Sequence, residues 1–195
     1  MNKEKEIRQL HIENIETRTE DNGNMIIEGY VATFNSKSKY MGFYESINPK
    51  AFDSTLADRH NIFMLYNHDW DKPLGDTETG TLKLEVDNIG LKFSLTIDNT
   101  VSYAKDAYQL VKKNLIKGCS FGFYVNEDEW STNNNMEDIR TLLSVTLLEC
   151  TLTIAPAYNE TSASCRSYKE YKNDLAKHKQ DELLKRKIKL ELELM

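Results

Sequence analysis

The chain has 195 residues, 39% of them hydrophobic and 29% charged, with a net charge of −6. That length suits one domain with a proper core plus an appendage, and the acidic balance argues against nucleic acid as the main partner. No run of roughly 18 apolar residues occurs and residues 1–10 lack the apolar centre of a secretion signal, so neither a membrane span nor export is expected.

The three cysteines, Cys119, Cys150 and Cys165, are odd in number and show no CxxC spacing. A disulfide framework or a structural zinc site is not expected, and a reducing cytoplasm is the simplest home. The charge is unevenly spread. Residues 166–195 hold nine Lys and Arg against six Asp and Glu, a net +3, which leaves −9 for residues 1–165.

In chain order, residues 7–19 alternate partly, and Asp21-Asn22-Gly23-Asn24 is a turn leading into the apolar-rich run 25–34. Together they predict an opening hairpin. Residues 35–47 read as loop, and Ala51–Leu56, after Pro49, as a short helix. Ile62–Tyr66 reads as a strand ending at Asn67-His68. The alternating runs 81–86 and 91–97 form a hairpin joined by Asp87-Asn88-Ile89-Gly90. Val101, Ala104, Tyr108, Val111 and Leu115 have the helical period, with Gly118 placed as a C-cap glycine. A strand over 120–125, a polar loop through Asn133-Asn134-Asn135 and a strand over 142–154, stopped by Pro156, complete the domain. The expected fold class is mainly β with helices (α+β), an antiparallel domain with one main inserted helix. Domain boundaries are expected at 1–165 and 166–195, the second a charged tail, helical or flexible.

Three residues carry candidate chemistry. His68 closes an apolar strand, Ser120 opens another directly after Gly118-Cys119, and Glu149 sits in the apolar run 145–154. A serine hydroxyl becomes a good nucleophile when an imidazole takes its proton and a third group fixes that imidazole. Strict alternation puts Val145, Leu147, Glu149, Thr151 and Thr153 on one face of their strand. A carboxylate there needs a partner, either a lysine or Arg140 on the bland reading, or His68 on the sharper one. Each residue alone also has an ordinary reading, as a strand-end histidine, a turn serine and a paired strand carboxylate. Gly118-x-Ser120-x-Gly122 matches the nucleophile elbow literally. The elbow needs a strand before and a helix after, and here the order is reversed. Asp69, Asp71 and Asp76 lie near His68, but with no second His or Cys close by neither a metal nor a cofactor is expected.

These motifs together resemble the caudovirus prohead serine proteases, which are similar in fold to the herpesvirus assemblins. The landmarks in order are 28–34 (Glu-Gly-Tyr-Val-Ala-Thr-Phe), 45–52 (Glu-Ser-Ile-Asn-Pro-Lys-Ala-Phe), Asn67-His68-Asp69 with Pro73-Leu74-Gly75, 87–91, 118–123 and 148–157. Lys50 departs from the family's usual glycine, outside the catalytic motifs. The resemblance covers roughly residues 10–165 and implies a small closed β-barrel-like core. It implies a serine endopeptidase with Ser120 as nucleophile, His68 as general base then acid, Glu149 orienting His68, and an oxyanion hole of backbone N–H groups near Ser120. The implied substrates are scaffolding protein or the major capsid protein, cleaved inside a procapsid in the bacterial host cytoplasm, followed by self-cleavage. A homo-oligomer is compatible with it, and nucleic acid and membrane are not among its partners.

Two alternatives stay open in the sequence. One is a non-catalytic β-barrel capsid or scaffold module with a silent site. The other is a cysteine hydrolase using Cys119, which alternation opposes because Cys119 and Ser120 point to opposite sides. For the third catalytic position, Asp69, Asp71 and His60 are the alternatives to Glu149. The basic tail is expected to dock the protease among scaffold or capsid subunits and to be cut between about Tyr158 and Lys187.

Overall fold

The computed structural model describes residues 4–11, 15–21, 23–154 and 162–193. The chain divides into two units, Met1–Asn159 and Glu160–Met195. Among the described residues the second unit is a single helix, α3 (Ser162–Glu193), which carries the alternating Ile188, Leu190 and Leu192 as exposed side chains.

The first unit begins with a strand that leaves its neighbour. Residues 7–19 do not form one hairpin arm. They supply part of β1 (Glu6–His11) and all of β2 (Glu16–Thr19), which join different sheets. β2 pairs antiparallel with β3 (Met25–Thr33) across the anticipated turn, while β1 pairs antiparallel with β9 (Gly118–Thr132). One sheet runs β2-β3-β8-β7, with β7 (Leu82–Val86) and β8 (Gly90–Ile97) forming the anticipated hairpin. The other runs β1-β9-β10-β5-β6, with β4 (Tyr44–Ile47) also beside β10 (Asp138–Thr153). β5 spans Phe63–Tyr66 and β6 spans Asp69–Asp76.

Neither sheet closes on itself among the described residues, so the expected closed barrel is not formed. The fold is mixed α+β, 44% strand and 26% helix. The consecutive strands β1 and β2 are shared between the two open sheets. β10 also departs from an all-antiparallel plan, because it pairs parallel with both β4 and β5. The inner faces of both sheets contribute to one hydrophobic core. Ile27, Phe93 and Leu95 come from one sheet and Phe121, Phe123 and Leu152 from the other.

Two strands lie in stretches that carry no strand signal. β4 falls in a segment read as loop. β6 contains Pro73 and Gly75, which is tolerable because β6 ends the sheet and its pairing with β5 is irregular there. The main helix α2 (Ser102–Lys112) buries Ala104, Ala107, Tyr108 and Val111. It stops before Gly118. Asn114 takes the left-handed conformation (φ 55°), its N–H bonds to Val111 O at 2.8 Å, and Leu115 is left exposed. Gly118 is instead the first residue of β9.

Candidate active site

β9 and β10 set the site by register. Ser120 stands opposite Thr151 and Gly122 opposite Glu149. Leu147, however, stands opposite Phe123, so Leu148 is an extra residue and β10 is bulged there. The bulge changes which face Glu149 occupies. Strict alternation had grouped Val145 and Leu147 with Glu149. In the fold Leu147 goes with Phe123 into the core, while Glu149 and Thr151 share the face of Ser120 and Gly122. Residues directly opposite across such a pair have Cβ atoms about 4.5–5.5 Å apart.

Gly122 is what leaves room for the carboxylate. A Cβ at this position would lie 2.5 Å from Glu149 Oε1 and would also collide with the Lys5 side chain. Glu149 is fully buried, as expected for a group that must be paired. Its Oε1 accepts hydrogen bonds from His68 Nδ1 at 2.9 Å and from Lys5 Nζ at 3.1 Å. A carboxylate can only accept, so Nδ1 carries the proton in this bond and Nε2 is the other ring nitrogen, facing away from Glu149 Oε1.

His68 reaches Glu149 from a tight turn. β5 and β6 are joined by Asn67-His68, with φ of 53° and 59°. Both values are those of a two-residue hairpin turn in which glycine usually takes the second place. A histidine there is unusual and strained, and such strain gathers at functional sites. The turn is tied to β10: Asn67 N–H donates to Leu152 O at 3.0 Å and His68 N–H to Thr151 Oγ1 at 2.8 Å. Thr151 Oγ1 in turn donates to Leu65 O at 3.0 Å. Thr151 therefore fixes the backbone of His68 directly across from Ser120.

Two buried polar side-chain atoms among the described residues lack a hydrogen-bond partner, His68 Nε2 and Glu149 Oε2. Leaving such atoms unpaired typically costs about 1–3 kcal/mol each, so their coincidence at one place points to function. Ser120 is fully buried and its hydroxyl donates to Arg8 O at 2.8 Å, not to His68. β1 lies against β9 with Gln9 opposite Ser120, and so covers the serine.

β1 is held by buried charges. Arg8 bonds Glu45 (2.5 and 2.8 Å) and Glu6 (2.6 Å). Arg140 bonds Glu6 (2.9 Å), Glu45 (3.3 Å) and Asp128 (2.6 Å). Burial works against the charge of both arginines. For Arg8 the charge and hydrogen bonds of Glu45, then Glu6, outweigh it; for Arg140 those of Glu6, Glu45 and Asp128 do. Both pKa values rise.

The other candidates are placed elsewhere. Cys119 is in the core, where burial pushes its thiol up to about 12, and burial likewise raises Cys150 well above an ordinary thiol. A thiolate nucleophile needs the opposite shift. Asp69 accepts from Asp71 N–H and Lys72, and Asp76 from Thr79. His60 pairs with Asp58 and with Leu147 O and does not touch Glu149. Lys5, Thr151 and Arg8 were not singled out from sequence, and Gly122 entered there only as a motif glycine, not as the space for Glu149. Thr151 alone carried a signal, its shared face with Glu149.

The sequence matches the family described as caudovirus prohead serine protease over residues 13–174. The chain belongs to this family. It is thus a serine protease of capsid maturation by descent. No curated protein matches the sequence significantly. Among solved structures, the capsid assembly protease gp21 of bacteriophage T4 is similar in fold, with a TM-score of 0.53 at 8% identity. The match covers 76% of this chain and 98% of the gp21 chain in that structure. In this prohead protease, no described helix is long and apolar enough to cross a membrane.

Proposed function

We propose that the chain is a serine endopeptidase in which Ser120 is the nucleophile, His68 the general base and then acid, and Glu149 the group that orients His68. The observation that carries this reading is His68 itself. Its Nδ1 is bonded to a buried carboxylate, its Nε2 is buried and unpartnered, and its backbone is tied to the residue facing Ser120. On this reading Nε2 takes the hydroxyl proton as Ser120 Oγ attacks the scissile carbonyl. The proton then goes to the leaving amine, and Glu149 stabilises the imidazolium in between. Backbone N–H groups near Ser120 are the proposed oxyanion hole. The thiol alternative loses ground to the core position of Cys119.

Ser120 in the described state is capped by β1. A peptide substrate adding as a strand beside β9 has to take the place that β1 holds, so β1 must move away first. The proposed substrates are scaffolding protein or the major capsid protein, met inside a procapsid in the host cytoplasm. Self-cleavage near the basic tail and docking by residues 166–195 belong to the same proposal.

The test is covalent. A fluorophosphonate reacting with the folded full chain should modify Ser120, located by peptide mass spectrometry, and His68→Ala should suppress the adduct. An adduct on Cys119 or on another serine would overturn the assignment.

A further inference from the structure

The parallel partners of β10 leave a gap. β4 pairs with Ile139–Leu142 and β5 with Glu149–Leu152, on the same edge. The stretch between them takes its partners from α1 (Asp53–Ala57) and the residues flanking it. Val145 N–H donates to Ala51 O at 3.0 Å and Leu147 N–H to Thr55 Oγ1 at 2.9 Å. Leu147 O is met by His60 Nε2 at 2.6 Å. Both backbone groups of Leu147 are thus held by side chains, immediately before the bulge that turns Glu149 onto the face of Ser120. The other nitrogen of His60, Nδ1, lies 2.5 Å from Asp58 Oδ1.

We infer that His60, held by Asp58, is a positioning residue that pins the bulge at Leu148 and thereby keeps Glu149 against His68. This rests on the reading of Glu149 as the partner of a catalytic His68. The chemistry asks for a double donor. A carbonyl and a carboxylate are both acceptors, so one imidazolium satisfies both, whereas a neutral ring satisfies one. Bulges re-aim side chains next to active sites, and an unheld bulge is free to slip by one residue, which would return Glu149 to the core face.

Electrostatics agree with the geometry. Burial disfavours the His60 cation, but the Leu147 carbonyl and Asp58 outweigh it and raise its pKa. Asp58 is correspondingly lowered by His60. The open cleft beside His60, about 680 Å³, brings Arg59, Glu78 and Lys83 to the same neighbourhood. Arg59 and Lys83 oppose the cation and Glu78 supports it. Because the folded pKa of His60 is raised, the clamp is fully present at pH below its ordinary value and is lost as pH rises through the raised one.

The test reads the His68–Glu149 bond directly. In isotope-labelled full-length protein, the His68 Nδ1 proton should give a downfield NMR resonance, identified by its loss in His68→Asn. His60→Ala should abolish or broaden that resonance, while His60→Gln, which keeps a donor for Leu147 O but loses the second donor held by Asp58, should weaken it less. In wild-type protein the resonance should fade as pH rises through the titration of His60, and Asp58→Asn should move that loss to lower pH. On a peptide substrate, His60→Ala should lower kcat by roughly tenfold to a hundredfold with little change in KM, as expected of a misplaced catalytic group. An unchanged His68 resonance and kcat in folded His60→Ala would overturn the inference. So would an alkaline loss that Asp58→Asn does not move, a comparison that stands even if His60→Ala fails to fold. Cleavage by Ser120→Ala at the wild-type rate would sink the catalytic reading instead, and leave the resonance to decide the role of His60 by itself.

Discussion

Glu149 shares one oxygen between His68 and Lys5, and Gly122 makes the space in which it does so. That gives a prediction at the residue scale. Glu149→Gln should lower kcat by about 10²-fold or more, since an amide cannot both fix the tautomer and stabilise an imidazolium. Gly122→Ala should do comparable harm although it alters none of the reacting groups, because its methyl occupies the carboxylate's place. Steady-state kinetics on one peptide compares them, and a near wild-type Gly122→Ala would show that the packing against Glu149 is not needed. His68, Ser120 and Glu149 stood out as candidates in the sequence because each interrupts or edges an apolar run. The carboxylate's face was not. Period-2 alternation assumes no extra residue, and nothing in Leu147-Leu148-Glu149 marks Leu148 as one. Lys5 was invisible too, since its contact spans 144 positions and a lysine near a chain start has no pattern.

At the scale of elements, β1 joins the edge of a sheet by backbone pairing and is locked by Arg8 and Glu6, both buried. The bonds to Glu45 and Arg140 make this a latch on the strand that covers Ser120. Arg8→Met should cost about 3–5 kcal/mol in chemical denaturation, because Glu45 and Glu6 lose a buried partner. It should also speed phosphonate labelling of Ser120 by loosening β1. Arg18→Met, which removes exposed ion pairs to Glu20 and Glu28, should change neither by much. Labelling that is equally fast in wild type and Arg8→Met would mean that β1 does not limit access. The sequence showed alternation in residues 7–19 but not the break within it. β4 and β6 escaped notice for different reasons. β4 is four residues long, and β6 carries a proline and a glycine that only an edge strand tolerates.

For the whole molecule, the sequence pointed to the family and to a β-rich α+β domain, and it overshot in closing the barrel. Hairpin signals report neighbours in sequence, whereas the two parallel pairings of β10 and the crossing of β1 to the second sheet are long-range choices made by core packing. Family membership makes the chain a serine protease of capsid maturation. The claim specific to this chain is that Ser120, His68 and Glu149 perform the cleavage. The most direct measurement is proteolysis of the cognate capsid and scaffolding proteins, co-expressed with the wild-type chain, Ser120→Ala or His68→Ala, and followed by intact mass. Wild type should give cut products and either variant essentially none, a loss of about 10⁴-fold or more, while both variants stay folded. Cleavage by Ser120→Ala or His68→Ala at near the wild-type rate would contradict that claim.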